Sequence, residues 1–215
     1  LIESPKSKAH VVDINDIIAT RASQSYFDDA MYGLQWHYKN TGNKAIFPDA
    51  MEGADINVEP AWDYTTGHRD VIVAIIDEGV DYRHPDLKDN VWVNQTEFDG
   101  AEGVDDDNNG YVDDIYGWNF VPGTNGKLTW DEKAVTGDPE DDDVGHGTHV
   151  AGTIAAVNNN GIGVVGVAGG NGTGNGVRVM SCQIFSAGRT TTIATNGDAI
   201  RYAANMGACI LQCSW

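Results

Sequence analysis

What this chain is short of narrows its function before any motif is read. Three cysteines, Cys182, Cys209 and Cys213, stand among 215 residues. That number is too small and too odd for a disulfide framework, and their apolar neighbours predict small buried side chains, not a redox or metal centre. Basic residues are scarce: 13 Lys and Arg face 32 Asp and Glu, a net charge of −19. Such a balance disfavours nucleic acid and anionic membrane surfaces as partners and favours cations. No apolar run approaches the ~18 residues of a membrane span, and no signal peptide is legible. The chain opens on Leu1 instead of Met, which fits an upstream piece lost to processing. Its length suits one domain with a sizeable core.

Against these absences, two strings carry chemistry. VIVAIID, Val71 to Asp77, is almost wholly apolar and β-branched, as a strand covered on both faces of a parallel sheet must be. Asp77 ends it and Gly79 turns the chain. Reactive groups gather outside the carboxyl ends of strands in open α/β sheets, so an Asp placed there can face a site. GHGTHVAGT, Gly145 to Thr153, reads as the opening of a helix with a histidine at its tip. His146 lies between two glycines that leave its imidazole uncrowded. An imidazole held on one nitrogen by a carboxylate can take a proton from a nucleophile with the other. Taken singly, Asp77 reads more readily as a turn residue and His146 as a cap; the two strings together are far more specific.

IIDEGVDYRHPDL (Ile75 to Leu87) and GHGTHVAGT closely resemble the aspartate and histidine motifs of the subtilisin-like serine proteases, the subtilases. The resemblance runs from about Asp29 to Trp215. It implies an α/β fold, a three-layer parallel sheet flanked by helices, incomplete at the C-terminal side. By the same resemblance Asp77 is the triad aspartate and His146 the general base of a secreted serine endopeptidase. The family's nucleophile sits in a G-T-S-M-A segment, preceded by an Asn of the oxyanion hole, and neither segment is in this sequence. Ser181, Ser186 and Ser214 follow His146 in other contexts. The expectation is therefore the first two-thirds of a catalytic domain, inactive alone and completed by a second polypeptide carrying the Ser and the oxyanion Asn. Two other classes stay open. One is a catalytically incomplete calcium-binding structural or binding domain of subtilase ancestry. The other is a metallohydrolase using His146 and His149, which the three-residue spacing and the missing third ligand disfavour.

Calcium is the cofactor expected, at one or two sites. DDDNNGYVDD, Asp105 to Asp114, alternates Asp105, Asp107 and Asn109 before Gly110, as in the first half of a calcium loop. The bidentate Glu of the full loop is missing, since Tyr116 stands in its place, and Asp113 or Asp114 could substitute. The other reading is a solvated acidic loop. VNNNGIGVVGVAGG, Val157 to Gly170, contains a G-x-G-x-x-G string, but it follows a helix and leads into a strand, the reverse of a dinucleotide fingerprint. It resembles the subtilase calcium loop instead. That resemblance implies the carbonyls of Val157, Ile162 and Val164, the side chain of Asn160, and the carboxylates of Asp86 and Asp29 as ligands. A second acidic run, Asp138 to Asp143, reads as a solvated loop before the histidine motif.

Residues 1–25 form a polar arm, either a disordered tag or a propeptide junction of the kind subtilases have, and residues 26–215 form the partial catalytic domain. Within the arm, Val11 to Ile18 fits a strand or a single helical turn. Ala54 to Gly67 resembles the helix before the first strand. Tyr116 to Val121 and Val177 to Phe185 read as strands, Thr191 to Met206 as a helix capped by Gly207, and Ala208 to Trp215 as a third buried strand. Val150, Ile154 and Val157 are spaced to face the sheet, and the later helix carries apolar or small residues at Ile193, Ala194, Ile200, Ala203 and Ala204. By the resemblance, Ser214 and Trp215 begin the segment that pairs with a bound peptide, and the loop after Phe185 forms the opposite edge.

Overall fold

A computed structural model describes residues 25–126, 145–172, 174–186, 189–190 and 192–214. The arm with its Val11–Ile18 patch, the Asp138–Asp143 run and Trp215 lie outside the described residues.

The first strand, β1 (Ile72–Asp77), is buried at all six positions, as its unbroken apolar text demands. Its inward faces serve two cores. Ile72, Ala74 and Ile76 join one cluster and Val73 and Ile75 the other, the period-2 consequence of a strand covered on both sides. A second strand, β2 (Gly117–Asn119), and a third, β3 (Arg178–Gln183), are shorter than the sequence predicts. The described chain then enters a small antiparallel hairpin of β4 (Phe185–Ser186) and β5 (Arg189–Thr190). The last strand is β6 (Ile210–Gln212). The main sheet has the order β2-β3-β1-β6, and its pairs are parallel.

Helices close both faces, which gives three layers. The histidine helix follows β2 in our count; with the one-turn helices α1 (Glu59–Trp62) and α2 (Gln95–Phe98) before it, it is α3 (His146–Ala155). Ala151 and Ala155 of α3 are fully buried against Val73, Ile75 and Val179, while Val150 and Ile154 pack beside that contact. The close approach thus runs through the alanines, between the larger residues that periodicity selects. On the opposite face lies α4 (Ile193–Asn205), whose Ala199, Tyr202 and Ala203 cover Met180, Cys182 and Ile184. Gly207 follows α4 with φ +89° and lets the chain turn out of the helix.

Burial on α4 is selective, and the last strand and two cysteines depart from expectation. Ile193 is 93% exposed and Ile200 and Ala204 are also on the outer side of α4, because the buried stripe is set by Ala199, Tyr202 and Ala203. The stretch from Ala208 is not a buried strand: β6 is three residues long, stands at the sheet edge, and leaves Ile210 49% exposed. Cys209 and Cys213, which flank it, are exposed for the same reason; Cys182, in the middle of β3, is buried as expected, and burial pushes its thiol well above the ordinary range.

A third cluster fixes the start of the described chain. Phe27, Tyr38 and Trp62 pack on Val165, with the Phe27 and Trp62 rings edge to face at 4.7 Å. Trp62 Nε1 donates to the Val167 carbonyl at 2.8 Å and the Tyr38 hydroxyl to that of Val165 at 2.9 Å. Buried aromatic polar atoms thereby find partners on the loop that leaves α3.

Candidate active site

The carboxyl end of β1 delivers Asp77 beneath the first turn of α3. His146 Nδ1 lies 2.8 Å from Asp77 Oδ1 and 3.0 Å from Oδ2. The carboxylate is buried, its side chain 3% exposed, while the imidazole is 50% exposed. An acceptor-only carboxylate on Nδ1 fixes the proton on that nitrogen, so Nε2 carries the basic lone pair of the ring. The Glu78 backbone N–H donates to Asp77 Oδ1 at 2.8 Å, which holds the carboxylate in place.

Sequence explains why strand end and helix tip can come this close. A Cβ on Gly147 would lie 2.1 Å from the carbonyl oxygen of Gly79 and 3.3 Å from Asp77 Cβ. No side chain larger than hydrogen fits there. Asp81 N–H donates to Thr148 Oγ1 at 2.9 Å and ties the loop after β1 to the same turn. Gly152, one helical face away, has open space where its Cβ would be. Gly147→Ala is accordingly expected to lower unfolding free energy by about 1–3 kcal/mol through overpacking, while Gly152→Ala raises it by about 0.5–1 kcal/mol through backbone entropy. Equilibrium urea denaturation of the two variants checks the opposite signs; equal signs would mean the contact with Gly79 yields freely.

Ser214 is exposed and its hydroxyl receives a hydrogen bond from Gln212 Nε2 at 2.7 Å. Ser181 is buried in β3 opposite Ile75, two register positions short of the Asp77 end. The Cys213 thiol is raised, by partial burial first and then by the charge of Asp77. A thiol held up in this way stays protonated and is a poor nucleophile. His149 and His146 stand on one helix, and among the described residues they gather no third metal ligand.

Asp29 and Asp86, the carboxylates expected at the calcium loop 157–164, both meet that loop. Asp29, on the segment entering the domain, accepts from Asn159 N–H at 2.8 Å through Oδ2. Asp86 accepts from Asn160 Nδ2 at 2.7 Å and from Val164 N–H at 2.8 Å. Met31 N–H donates to the Gly163 carbonyl at 2.8 Å, so three separate segments meet on this loop. Asp29 is 5% exposed, and its Oδ1 is buried without a hydrogen-bond partner. Gly163 leaves room for the Asp86 carboxylate, because a Cβ there would sit 2.1 Å from Asp86 Oδ2. Burial raises both carboxyl groups above the usual range, against hydrogen bonds that lower them. Buried oxygen donors with an unsatisfied lone pair fit a hard cation. Asn160 departs from its assigned part: its Oδ1 accepts from Ile162 N–H in its own turn, and its amide nitrogen is what meets Asp86.

The acidic loop assembles differently from its linear pattern. Glu97, Asp107 and Asp114 each bring a carboxylate oxygen within 4.8 Å of the others. Glu97, on α2, is buried and accepts from the backbone N–H groups of Asp106, Asp107 and Asp113. It was invisible to a reading confined to Asp105–Asp114; a Glu among apolar and amide neighbours eight residues upstream was the one clue. Asp105 is spent on its own turn, accepting from Asn109 and Gly110 N–H. Asn109 presents its amide nitrogen to Asp107 and Asp114, and its oxygen to Tyr111 N–H. Asp114 is fully buried and accepts from the Tyr202 hydroxyl at 2.6 Å, which links this loop to α4. Burial raises the Asp114 carboxyl, and the neighbouring Asp107 charge adds to it.

Comparisons with known proteins cover most of the chain. The model of the Subtilase family matches residues 68–215. Subtilisin-like protease 1 of Plasmodium berghei is 46% identical over 145 residues, 67% of this chain and 20% of that protein. Halolysin of Haloferax mediterranei is 32% identical over 174 residues, 81% of this chain and 26% of its own length. Among solved structures, a serine protease of Aeromonas sobria in complex with a chaperone superposes with a TM-score of 0.53, at 24% identity, covering 80% of this chain and 22% of that one. That likeness concerns the fold. The chain spans about a fifth of the length of the Plasmodium berghei relative.

Proposed function

This chain belongs to the subtilase family, and we propose that it supplies the Asp and His of the Asp-His-Ser triad of a secreted serine endopeptidase. The observation that carries the proposal is the bond of His146 Nδ1 to buried Asp77 at 2.8 Å, on an imidazole that is half exposed. The serine and the Asn of the oxyanion hole come from polypeptide outside this sequence.

The serine oxygen attacks the scissile carbonyl carbon as its proton passes to His146 Nε2, and the carbonyl π pair moves onto oxygen. Asp77 holds the imidazolium so formed. Collapse of the tetrahedral intermediate breaks the C–N bond, and the departing amine takes the proton from Nε2. Water then repeats the sequence on the acyl-enzyme. An extended peptide adds as a strand beside Ser214 and Trp215, its backbone hydrogen bonds giving affinity. Calcium, held by Asp29 and Asp86 with the loop 157–164, and at a second site by Glu97, Asp107 and Asp114, supplies structural cohesion when bound. A propeptide is a further proposed partner.

Fluorophosphonate labelling followed by denaturing mass spectrometry of the full-length protein tests this reading. Label on a single serine outside residues 1–215, abolished by His146→Ala, is the expected result. No label on a folded, calcium-loaded protein would sink it and leave a non-catalytic calcium-bound domain of subtilase ancestry.

A further inference from the structure

The helix that carries His146 begins without a cap of its own. Its N-cap is Gly145, with φ 108° and no side-chain hydrogen bond. The first N–H groups of any α-helix lack intrahelical partners, and acceptors of negative charge are favoured there. At α3 the acceptor comes from another element: Glu78, the residue after Asp77, receives the backbone N–H of His146 on its Oε1. Adjacent residues at the end of β1 thus grip the two ends of one histidine, Asp77 its ring and Glu78 its backbone. Thr148, two residues on, is fixed to the same loop through Asp81 N–H, and Gly147 stands in contact distance of Gly79. The tip of α3 is therefore located by the loop 77–81, with Glu78 holding the backbone nitrogen of the histidine itself.

We propose that Glu78 is a positioning residue for His146: its carboxylate caps α3 from across the site and sets the ring's height over Asp77. The proposal rests on the general-base reading of His146. A group that positions a base acts on the chemical step more than on ground-state binding, and a misplacement of about 1 Å can cost on the order of 10²-fold.

The test uses the full-length protein and the variants Glu78→Ala and Glu78→Gln, with kcat, KM and the pH dependence of kcat/KM on one peptide substrate, and thermal unfolding alongside. Glu78→Ala is expected to lower kcat by about 10- to 100-fold with KM within about twofold. Glu78→Gln keeps an acceptor oxygen for the His146 N–H and loses only the charge, so its kcat falls less than that of Glu78→Ala. The proposal is overturned if Glu78→Ala turns over at the wild-type rate. It is equally overturned if the whole loss lies in KM or tracks a fall in folded fraction. Failure of the general-base reading has a separate signature: His146→Ala would then label and turn over like wild type whatever residue stands at 78.

Discussion

His146→Ala in the full-length protein is expected to lower kcat by about 10⁴-fold or more, with KM little changed, and Asp77→Asn by about 10⁴-fold. The two losses have different origins. Without the imidazole the serine proton has no acceptor, and what remains is binding and oxyanion stabilisation. With Asn at 77 the ring is still held, but an amide N–H facing Nδ1 moves the ring proton to Nε2, where a lone pair is needed. Asp77 is buried and accepts from Glu78 N–H as well, so Asn keeps its place sterically. The residues act as one unit, and the double variant should lose scarcely more than His146→Ala alone. Steady-state kinetics with a fluorogenic peptide decide the matter, beside circular dichroism to confirm folding. Asp77→Asn within about tenfold of wild type would exclude the orienting role.

Why this pair was legible in sequence, and much else was not, follows from where the information lies. Asp77 and His146 are each embedded in a long local string, and the parallel sheet fixes what local text leaves open, since β1 pairs with β3 up to Asp77 and Gln183. The central strands were legible because covering on both faces leaves no alternation to misread. The edge was not. Burial of Cys209, Ile210 and Cys213 depends on neighbours in space, which a local window does not contain, and β6 pairs on one side with β1. Ile193 is exposed because it begins α4 on the turn that precedes the contact with β3. Glu97 and Glu78 escaped because their roles are set by backbone N–H groups brought from other segments, and a capping acceptor has no sequence period. Asp105 was selected by the same linear pattern that fits a calcium loop, yet a carboxylate two to five residues before a turn finds that turn's N–H groups first.

Chelation of calcium is expected to lower the unfolding temperature of the full-length protein by about 5–15 °C. Occupancy at 100 to 1,000 times Kd contributes about 2.7–4.1 kcal/mol, and a domain of this size moves about 2–4 °C per kcal/mol. The loss should begin at one place. Asp29 lies on the segment that Phe27 and Tyr38 anchor through Trp62 and Val165, and the loop 157–164 receives it through Asn159 and Gly163. With the cation gone, Asp29 Oδ1 has no partner and two buried carboxylates share a loop, so this segment should open before the sheet does. Limited proteolysis with a chelator should cut near residues 25–31 while α3 remains protected. Asp86→Asn and Asp29→Asn should each remove most of the calcium dependence of the unfolding temperature, and Glu97→Gln should remove only a second, separable part. If Asp29, Asp86 and carbonyls of the loop 157–164 are the ligands, calcium should outperform magnesium, because a larger ion accepts many protein oxygens in varied geometry where a small octahedral one does not. An unfolding temperature indifferent to chelator, or one that Asp29→Asn leaves fully calcium-dependent, would place the cation elsewhere and return Asp29 to a purely structural part.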